Sequence, residues 1–74
     1  MIDQNKIREF LKQAGLEINP SEEDFGKVFQ EIGLDSLDVF SFLSEIEMAV
    51  GISISDSDFE KMNTLNDVIS FLSE

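Results

Sequence analysis

The chain is short and strongly acidic, and it contains neither histidine nor cysteine. Its 74 residues suffice for one small domain over 1–74, because a chain of this size buries only about 60% of its unfolded surface. Sixteen acidic residues against five basic ones leave a net charge of −11, which repels phosphate backbones and anionic membranes and argues against nucleic-acid partners. Without His or Cys the usual zinc, haem and nucleophile–base sites are lacking, so we expect no resident metal and no self-contained catalysis.

The first predicted element is an amphipathic helix over roughly residues 3–14. Asp3 is placed to cap its start and Gly15 to end it. At about 100° per residue, its apolar side chains share one stripe: Ile7, Phe10, Leu11 and Ala14. Met1–Gln4 shows no basic or apolar signal region, and no apolar run approaches the roughly 18 residues of a membrane span. We therefore expect a cytoplasmic protein with no membrane insertion.

Between Leu16 and Leu34 the helical periodicity lapses around Asn19–Ser21. The pattern favours a long ordered loop that contains a helical turn. However, Ser21–Asp24 also reads as a capping box, which would start a complete amphipathic helix over 21–32. Both interpretations stay open at this stage.

A second helix is predicted from about 36 to 50. The side chain of Asp35 can accept a hydrogen bond from the backbone N–H of Asp38, and Gly51 can end the helix. Its predicted core face spans about 120°. That face consists of Val39, Phe42, Leu43, Ile46, Ala49 and Val50.

The remaining sequence predicts a short helix over Ser55–Met62 and a last helix that Thr64 caps. The last helix has one apolar face, made of Leu65, Val68, Ile69 and Leu72. The predicted fold is therefore all-α: a four-helix bundle with one short helix and a long loop between helices one and two.

The outer side of the second helix carries a stripe of apolar residues with acids on its flanks. The stripe contains Leu37, Phe40 and Met48, with Ser41 and Ser44 between them, and the flanking acids are Asp38, Glu45 and Glu47. Taken alone, this pattern fits a docking surface as well as it fits an ordinary solvated helix. What favours docking is Ser36, which lies on the first turn beside the stripe and whose hydroxyl we expect to be exposed.

The stretch Gly33–Asp38 resembles the attachment motif of acyl carrier proteins, whose serine bears 4′-phosphopantetheine. Phe29 and Ile32 precede it as in that family, and the later helices follow at the expected distances, so the resemblance covers essentially the whole chain. It implies that Ser36 carries the arm, with Asp35 and Leu37 as its neighbours in the cofactor site. It also implies that a phosphopantetheinyl transferase, the holo-synthase, takes the arm from coenzyme A.

The resemblance further implies a carrier and not an enzyme, which holds acyl groups as thioesters for fatty-acid or polyketide biosynthesis. Acyl-loading and condensing enzymes with basic docking surfaces are then its partners, and we expect it to act as a monomer. The implied partner surface is Leu37, Asp38, Phe40, Ser41, Ser44, Glu45, Glu47 and Met48. An apolar groove between helices two and three would shelter the acyl chain, with candidate lining Phe29, Ile46, Ile54, Phe59 and Met62.

Some residues depart from the family pattern, and other functions stay open. Ser41 and Ser44 replace residues that are acidic or apolar in many fatty-acid carriers, Phe40 is bulkier than usual, and no proline precedes the short helix. An aminoacyl or peptidyl carrier and an unmodified acidic helical adaptor are the alternatives. Acids spaced from Asp56 also suggest a calcium loop ending at Asp67, but Lys61 stands where such a loop needs glycine.

Overall fold

The computed structural model describes residues 2–73, which form four α-helices and two short 3₁₀ turns. The helices are α1 (Gln4–Gln13), α2 (Ser36–Val50), α3 (Asp56–Lys61) and α4 (Leu65–Leu72). This confirms the all-α fold with one short helix, α3, and a long loop between α1 and α2. None of these helices has the length and apolar character that crossing a bilayer requires.

Side-chain caps set the helix starts close to the predicted positions. The Asp3 carboxylate accepts the backbone N–H of Lys6 at 2.9 Å and begins α1. Ser55 accepts the N–H of Asp58 at 3.1 Å and begins α3 one residue later than predicted. Such caps satisfy backbone N–H groups that the first helical turn leaves without a partner.

The long loop contains two 3₁₀ turns, Glu23–Gly26 and Phe29–Ile32, in place of one continuous helix. The Ser21–Asp24 capping box does form, with N–H to side-chain distances of 3.1 and 3.3 Å. Yet Lys27 is extended, and the N–H of Phe29 donates to the carbonyl of Asn63 at 3.1 Å. The prediction of an ordered loop is confirmed, and the alternative of a full helix over 21–32 is wrong, because this tertiary bond draws the chain out of the helix.

Arg8 ties the loop to α1. Its Nε donates to the carbonyl of Pro20 at 2.9 Å and its Nη1 to Oδ1 of Asn5 at 2.9 Å. Its guanidinium also lies 5.0 Å from the centre of the Phe25 ring, a cation–π distance. The loop is therefore held to the bundle by specific contacts of one α1 side chain.

The core draws on all parts of the bundle except α3, none of whose residues is fully buried. Its members are Ile7, Phe10, Leu11, Phe25, Phe29, Leu34, Val39, Phe42, Leu43, Ile46, Met62, Leu65 and Val68. The predicted core face of α2 is correct up to Ile46. Ala49 and Val50 are exposed, so their assignment to the core was wrong: the last turn of α2 extends beyond the packed layer.

Candidate functional site

Ser36 is the first residue of α2, and it is exposed. The approach to it is set by Gly33, whose φ of +88° lies in the left-handed region that favours glycine and turns the chain after the second 3₁₀ turn. Leu34 then buries its side chain, and its N–H donates to the carbonyl of Phe29 at 3.0 Å. A buried anchor two residues before Ser36 thus fixes where the exposed hydroxyl lies.

A reciprocal capping box surrounds Ser36. Oδ1 of Asp35 accepts the N–H of Asp38 at 2.8 Å, and Oδ2 of Asp38 accepts the N–H of Asp35 at 3.3 Å. Both carboxylates are therefore used to hold the first turn of α2. Among the described residues, the Ser36 hydroxyl itself makes no hydrogen bond, which leaves it available for chemistry.

An open pocket of about 730 Å³ lies directly beside Ser36, which forms part of its rim together with Asp35. Three residues of the predicted groove line it, namely Phe29, Phe59 and Met62. Two others do not: Ile46 is fully buried in the core, and Ile54 packs against the core elsewhere. The predicted lining is corrected accordingly, because the fully buried Ile46 has no exposed surface to line a pocket.

Residues outside the predicted groove complete the pocket. The buried Val39 also lines it, as do three exposed residues, Val28, Gln30 and Asn63. Sequence reasoning missed this opening, because Gln30 and Asn63 are far apart in the chain. The Phe29–Asn63 hydrogen bond and the isolated β-bridge between Val28 and Thr64 join the two segments.

The outer side of α2 carries large exposed apolar side chains, as the periodicity predicted. Leu37 is 77% exposed, Phe40 62% and Met48 73%. Ser41 between them is exposed and Ser44 is half-buried. We call Leu37, Phe40, Ser41, Ser44 and Met48 the outer face of α2. Its residues lie at helical spacing along one side of the helix that begins at Ser36.

Phe40 also makes a contact that the sequence did not indicate. Its ring lies 6.5 Å, centre to centre, from the ring of Phe59, with the two planes tilted by 52°. Because Phe59 lines the pocket, the outer face and the pocket wall meet through two aromatic rings.

The three acids that flank the outer face differ in what they contact. All three are half-buried. Asp38 belongs to the capping box, and Oε2 of Glu47 accepts the N–H of Ile54 at 2.7 Å, which ties α2 to the loop before α3. Glu45 makes no hydrogen bond or ion pair within residues 2–73. Of the three, only Glu45 therefore has a carboxylate without a hydrogen bond or ion pair among the described residues.

The negative charge is concentrated on the part of the chain that forms the site. Residues 2–27 carry six acidic and four basic side chains, whereas residues 28–73 carry nine acidic side chains and one basic one, Lys61. The two ion pairs within the described part, Lys6–Glu9 at 3.2 Å and Lys27–Asp24 at 3.1 Å, both fall in the first segment. The segment with α2 and α3 thus presents a largely uncompensated negative surface.

The alternative of a calcium loop loses its final ligand in the structure. Oδ2 of Asp67 accepts the N–H groups of Asn63 and Thr64 at 2.9 and 3.1 Å, so this carboxylate caps α4. Within residues 2–73, no group of three or more acidic side chains is arranged to hold a metal ion.

Comparison with known proteins agrees with this site. The family described as "Phosphopantetheine attachment site" matches residues 4–72. An acyl carrier protein of Thermotoga maritima is 31% identical over 69 residues, which cover 92% of this chain and 84% of that protein. An acyl carrier protein homolog of Mycoplasma genitalium is 31% identical over 64 residues, which cover 86% and 76% of the two chains. No solved structure matches significantly.

The helical fold and the family match place this chain in the class of phosphopantetheine-attachment domains. The chain belongs to the acyl carrier protein family of phosphopantetheine-binding domains, as the sequence resemblance predicted. The cofactor of this family is 4′-phosphopantetheine. The residues present fit such a group. The Ser36 hydroxyl is exposed and makes no hydrogen bond within residues 2–73, and the positive N-terminal end of the 15-residue helix suits an anionic phosphodiester.

Proposed function

We propose that the protein is a carrier that holds acyl groups as thioesters on a 4′-phosphopantetheine arm attached to Ser36. It presents them to enzymes of fatty-acid or polyketide biosynthesis. The observation that carries this proposal is the placement of Ser36, exposed on the first turn of α2 and at the rim of a pocket. An arm that starts there reaches solvent and partner active sites without unfolding any element.

In the loading step, Ser36 supplies the hydroxyl and little else. Its Oγ bonds to the coenzyme A phosphorus that carries the pantetheine group. The bond from that phosphorus to the nucleotide phosphate breaks, and the nucleotide leaves as a bisphosphate. The hydroxyl proton must go to a base. The neighbouring carboxylates of Asp35 and Asp38 are engaged in the capping box, so we assign that base to the transferase. This supports a carrier that is acted upon and does not itself catalyse.

The partners proposed for the outer face of α2 have an apolar pocket with a basic rim. Leu37, Phe40 and Met48 are the anchors, because large exposed apolar groups carry most of the binding energy once they are desolvated. Asp38, Glu45 and Glu47 provide the charge that steers association. The transferase and the acyl-loading and condensing enzymes would share this surface.

We further propose that the carrier acts as a monomer in the cytoplasm. A net charge of −11, concentrated around α2 and α3, opposes the close approach of a second copy to the outer face. The same charge favours basic partners over self-association. Sedimentation of the purified protein at low salt measures its mass in solution, and we expect the mass of a monomer.

The proposal is tested by incubating apo protein with coenzyme A and a transferase of broad specificity, and by measuring the intact mass. We expect the mass of one arm to be added to the wild type, to Ser41→Ala and to Ser44→Ala, and none to Ser36→Ala. A Ser36→Ala protein that still gains the arm would contradict the assignment of Ser36. A wild type that no transferase modifies would support the unmodified adaptor instead.

The cargo is tested separately, on protein isolated from its native cell. The mass bound to the arm distinguishes an acyl group from an aminoacyl group. The acidic surface supports an acyl cargo, and an aminoacyl mass would favour the peptidyl-carrier alternative.

A further inference from the structure

We propose that Met48 is an oxidation site, through which a peroxide weakens the docking of partners on the outer face of α2. This inference rests on the proposed function, because it concerns the surface assigned there to the transferase and the biosynthetic enzymes. It adds to that surface one chemical modification, the conversion of the Met48 thioether to a sulfoxide, and one class of reactant, a hydroperoxide.

Met48 holds the accessible sulfur of residues 2–73. The sequence contains no cysteine and three methionines, so all of its sulfur is in thioethers. Met48 is 73% exposed, whereas Met62 is 6% exposed and packs in the core. Met1 lies outside the described residues. A peroxide in solution therefore reaches the sulfur of Met48 directly, and it reaches that of Met62 only when the core opens.

The last turn of α2 leaves Met48 open to solvent. The helix extends beyond the packed layer there, and the next two residues, Ala49 and Val50, are exposed as well. One turn earlier, Ser44 has only a small side chain to cover it. Met48 therefore lies on an exposed helical turn and not in a cleft that shields the sulfur from an oxidant.

The oxidation transfers one oxygen atom and two electrons. A lone pair of the thioether sulfur attacks one oxygen of hydrogen peroxide, so that an S–O bond forms and the O–O bond breaks. The departing hydroxide takes the remaining peroxide proton, and the products are the sulfoxide and one water. The sulfur is oxidised and the peroxide is reduced. A sulfoxide reductase with a dithiol reverses the step and yields the thioether, a disulfide and water.

The sulfoxide changes what Met48 offers to a partner. The thioether is apolar and polarizable, which suits an anchor that enters an apolar pocket. The sulfoxide oxygen is a hydrogen-bond acceptor, and burying it without a donor costs free energy. A partner that binds Leu37, Phe40 and Met48 thus loses one of three anchors. We expect affinity to fall about tenfold, the size expected when the burial of one methionine side chain is lost.

The reaction at Ser36 should be unaffected by this modification. Met48 lies twelve residues after Ser36 on α2, which corresponds to about 18 Å along the helix axis. Its oxidation therefore acts on binding and not on the transfer of the arm. Because the Met48 side chain is exposed, the sulfoxide also leaves the fold intact.

The experiment treats apo wild type with hydrogen peroxide, since the apo form carries no arm thiol that would react. Peptide mass mapping locates the added oxygen, and we expect it on Met48 before Met62. Arm transfer by a transferase is then measured at steady state. The KM for the carrier should rise about tenfold with kcat unchanged, and treatment with sulfoxide reductases should restore the KM. The amide NMR spectrum reports that the oxidised protein stays folded.

Three matched variants separate Met48 from the other methionines. Met48→Leu keeps an apolar anchor that cannot be oxidised, so its KM should equal that of the untreated wild type before and after peroxide. Met62→Leu, a swap that conserves core volume, should still respond to peroxide as the wild type does. Met48→Gln places a polar group of similar length at the site and should show the raised KM without peroxide.

The results that overturn the inference differ from those that overturn the proposed function. A wild type that no transferase loads contradicts the proposed function, and this inference with it. Normal loading with the same KM before and after oxidation of Met48 contradicts the inference alone. Oxidation of Met62 before Met48, or an equal rise in KM in treated Met48→Leu, would show that the effect arises elsewhere in the chain.

Discussion

Residues 21–32 and residues 35–50 begin in the same way and end differently. Each segment opens with a reciprocal capping box that ends in an aspartate, Ser21 with Asp24 and Asp35 with Asp38. The first box leads into a four-residue 3₁₀ turn, an extended break and a second 3₁₀ turn. The second box leads into the 15-residue helix α2.

These two segments show that a capping box sets the start of a helix but not its length. After the first box, the chain becomes extended at Lys27, where φ is −93° and ψ is 150°. The reason is that the N–H of Phe29 donates to the carbonyl of Asn63, a residue distant in the chain. After the second box, buried side chains recur at helical spacing as far as Ile46, and packing sustains the helix. The first segment therefore forms a wall of the pocket, and the second forms the outer face.

The largest expected effect comes from removing a buried ring in either segment. Phe25 and Phe42 are both fully buried, so Phe25→Ala and Phe42→Ala should each lower the free energy of unfolding by about 3 to 5 kcal/mol. Denaturant unfolding of the two variants measures this. If Phe25→Ala lowers the free energy of unfolding by less than about 1 kcal/mol, the 3₁₀ segment contributes little to the fold. The two segments would then not be equally packed into the core.

Truncating the ring on the outer face should affect binding more than folding. Phe40→Ala should weaken transferase binding by about 1 to 3 kcal/mol, mainly through faster dissociation, if the ring is desolvated in the complex. The cost in unfolding free energy should be about 1 kcal/mol or less, since the ring is 62% exposed and its aromatic contact is the tilted one with Phe59.

The matched control for Phe40→Ala is Val50→Ala. Val50 is 44% exposed and lies on the last turn of α2, outside the outer face. Dissociation rates from immobilised transferase should be unchanged in this control. Equal acceleration in both variants, or unfolding of Phe40→Ala, would show that the outer face is assigned wrongly.

The box of the 3₁₀ segment should make stability depend on acid pH. The N–H of Ser21, and then the ammonium of Lys27, hold the pKa of Asp24 below its ordinary value of 3.8. Because the folded pKa is the lower one, Asp24 stabilises the fold above its unfolded pKa, and this contribution is lost as the pH falls through the folded pKa. Asp24→Asn should therefore be less stable than the wild type at neutral pH.

Denaturant unfolding at neutral and acid pH checks this expectation. The difference between Asp24→Asn and the wild type should shrink as the pH falls through the lowered pKa. Glu22→Gln is the control, because Glu22 is exposed and its side chain makes no hydrogen bond within residues 2–73. A difference for Asp24→Asn that does not vary with pH would mean that its charge contributes nothing.

The smallest effect on stability is expected for Glu45→Lys. Glu45 makes no hydrogen bond or ion pair within the described residues, so the free energy of unfolding should change by less than about 0.5 kcal/mol. Association with the transferase should nevertheless slow, with a weaker dependence on salt, because a steering charge is reversed. Glu60→Lys, an equal change of charge on α3, should slow association less in stopped-flow measurements. Equal slowing would mean that net charge alone matters.

Glu47→Lys reverses a second flanking charge, one that also holds a backbone N–H. This change also breaks the 2.7 Å bond between Glu47 and the N–H of Ile54, so it should lower stability as well as association rate. The contrast with Glu45→Lys separates a steering charge from a structural one.

Local signals in the sequence were enough to predict where the helices begin and which side of α2 is exposed. Asp3, Asp35 and Thr64 were predictable as caps, because a cap bonds to an N–H only three residues away. Helical spacing likewise placed Leu37 and Met48 on the outer face. Spacing could not reveal where the bundle ends, which is why Val50 and Ala49 were assigned to the core.

Three apolar residues of the pocket were predicted, but the part that Gln30 and Asn63 form could not be, because these two segments meet through contacts between distant parts of the chain. The segments of Gln30 and Asn63 are joined where the N–H of Phe29 pairs with the carbonyl of Asn63 and Val28 bridges to Thr64. The contact between Phe40 and Phe59 is likewise tertiary. Sequence patterns report burial and local bonding, and they contain no direct signal for such pairings.

We propose that partners bind the outer face of α2, which begins beside Ser36. The most direct test is the NMR footprint of an unlabelled transferase on ¹⁵N-labelled apo protein. We expect amide signals from Ser36 to Met48 on the outer face to broaden or shift, while those of α1 and α4 stay unchanged. A footprint centred on α1 and α4, with α2 unaffected, would contradict it.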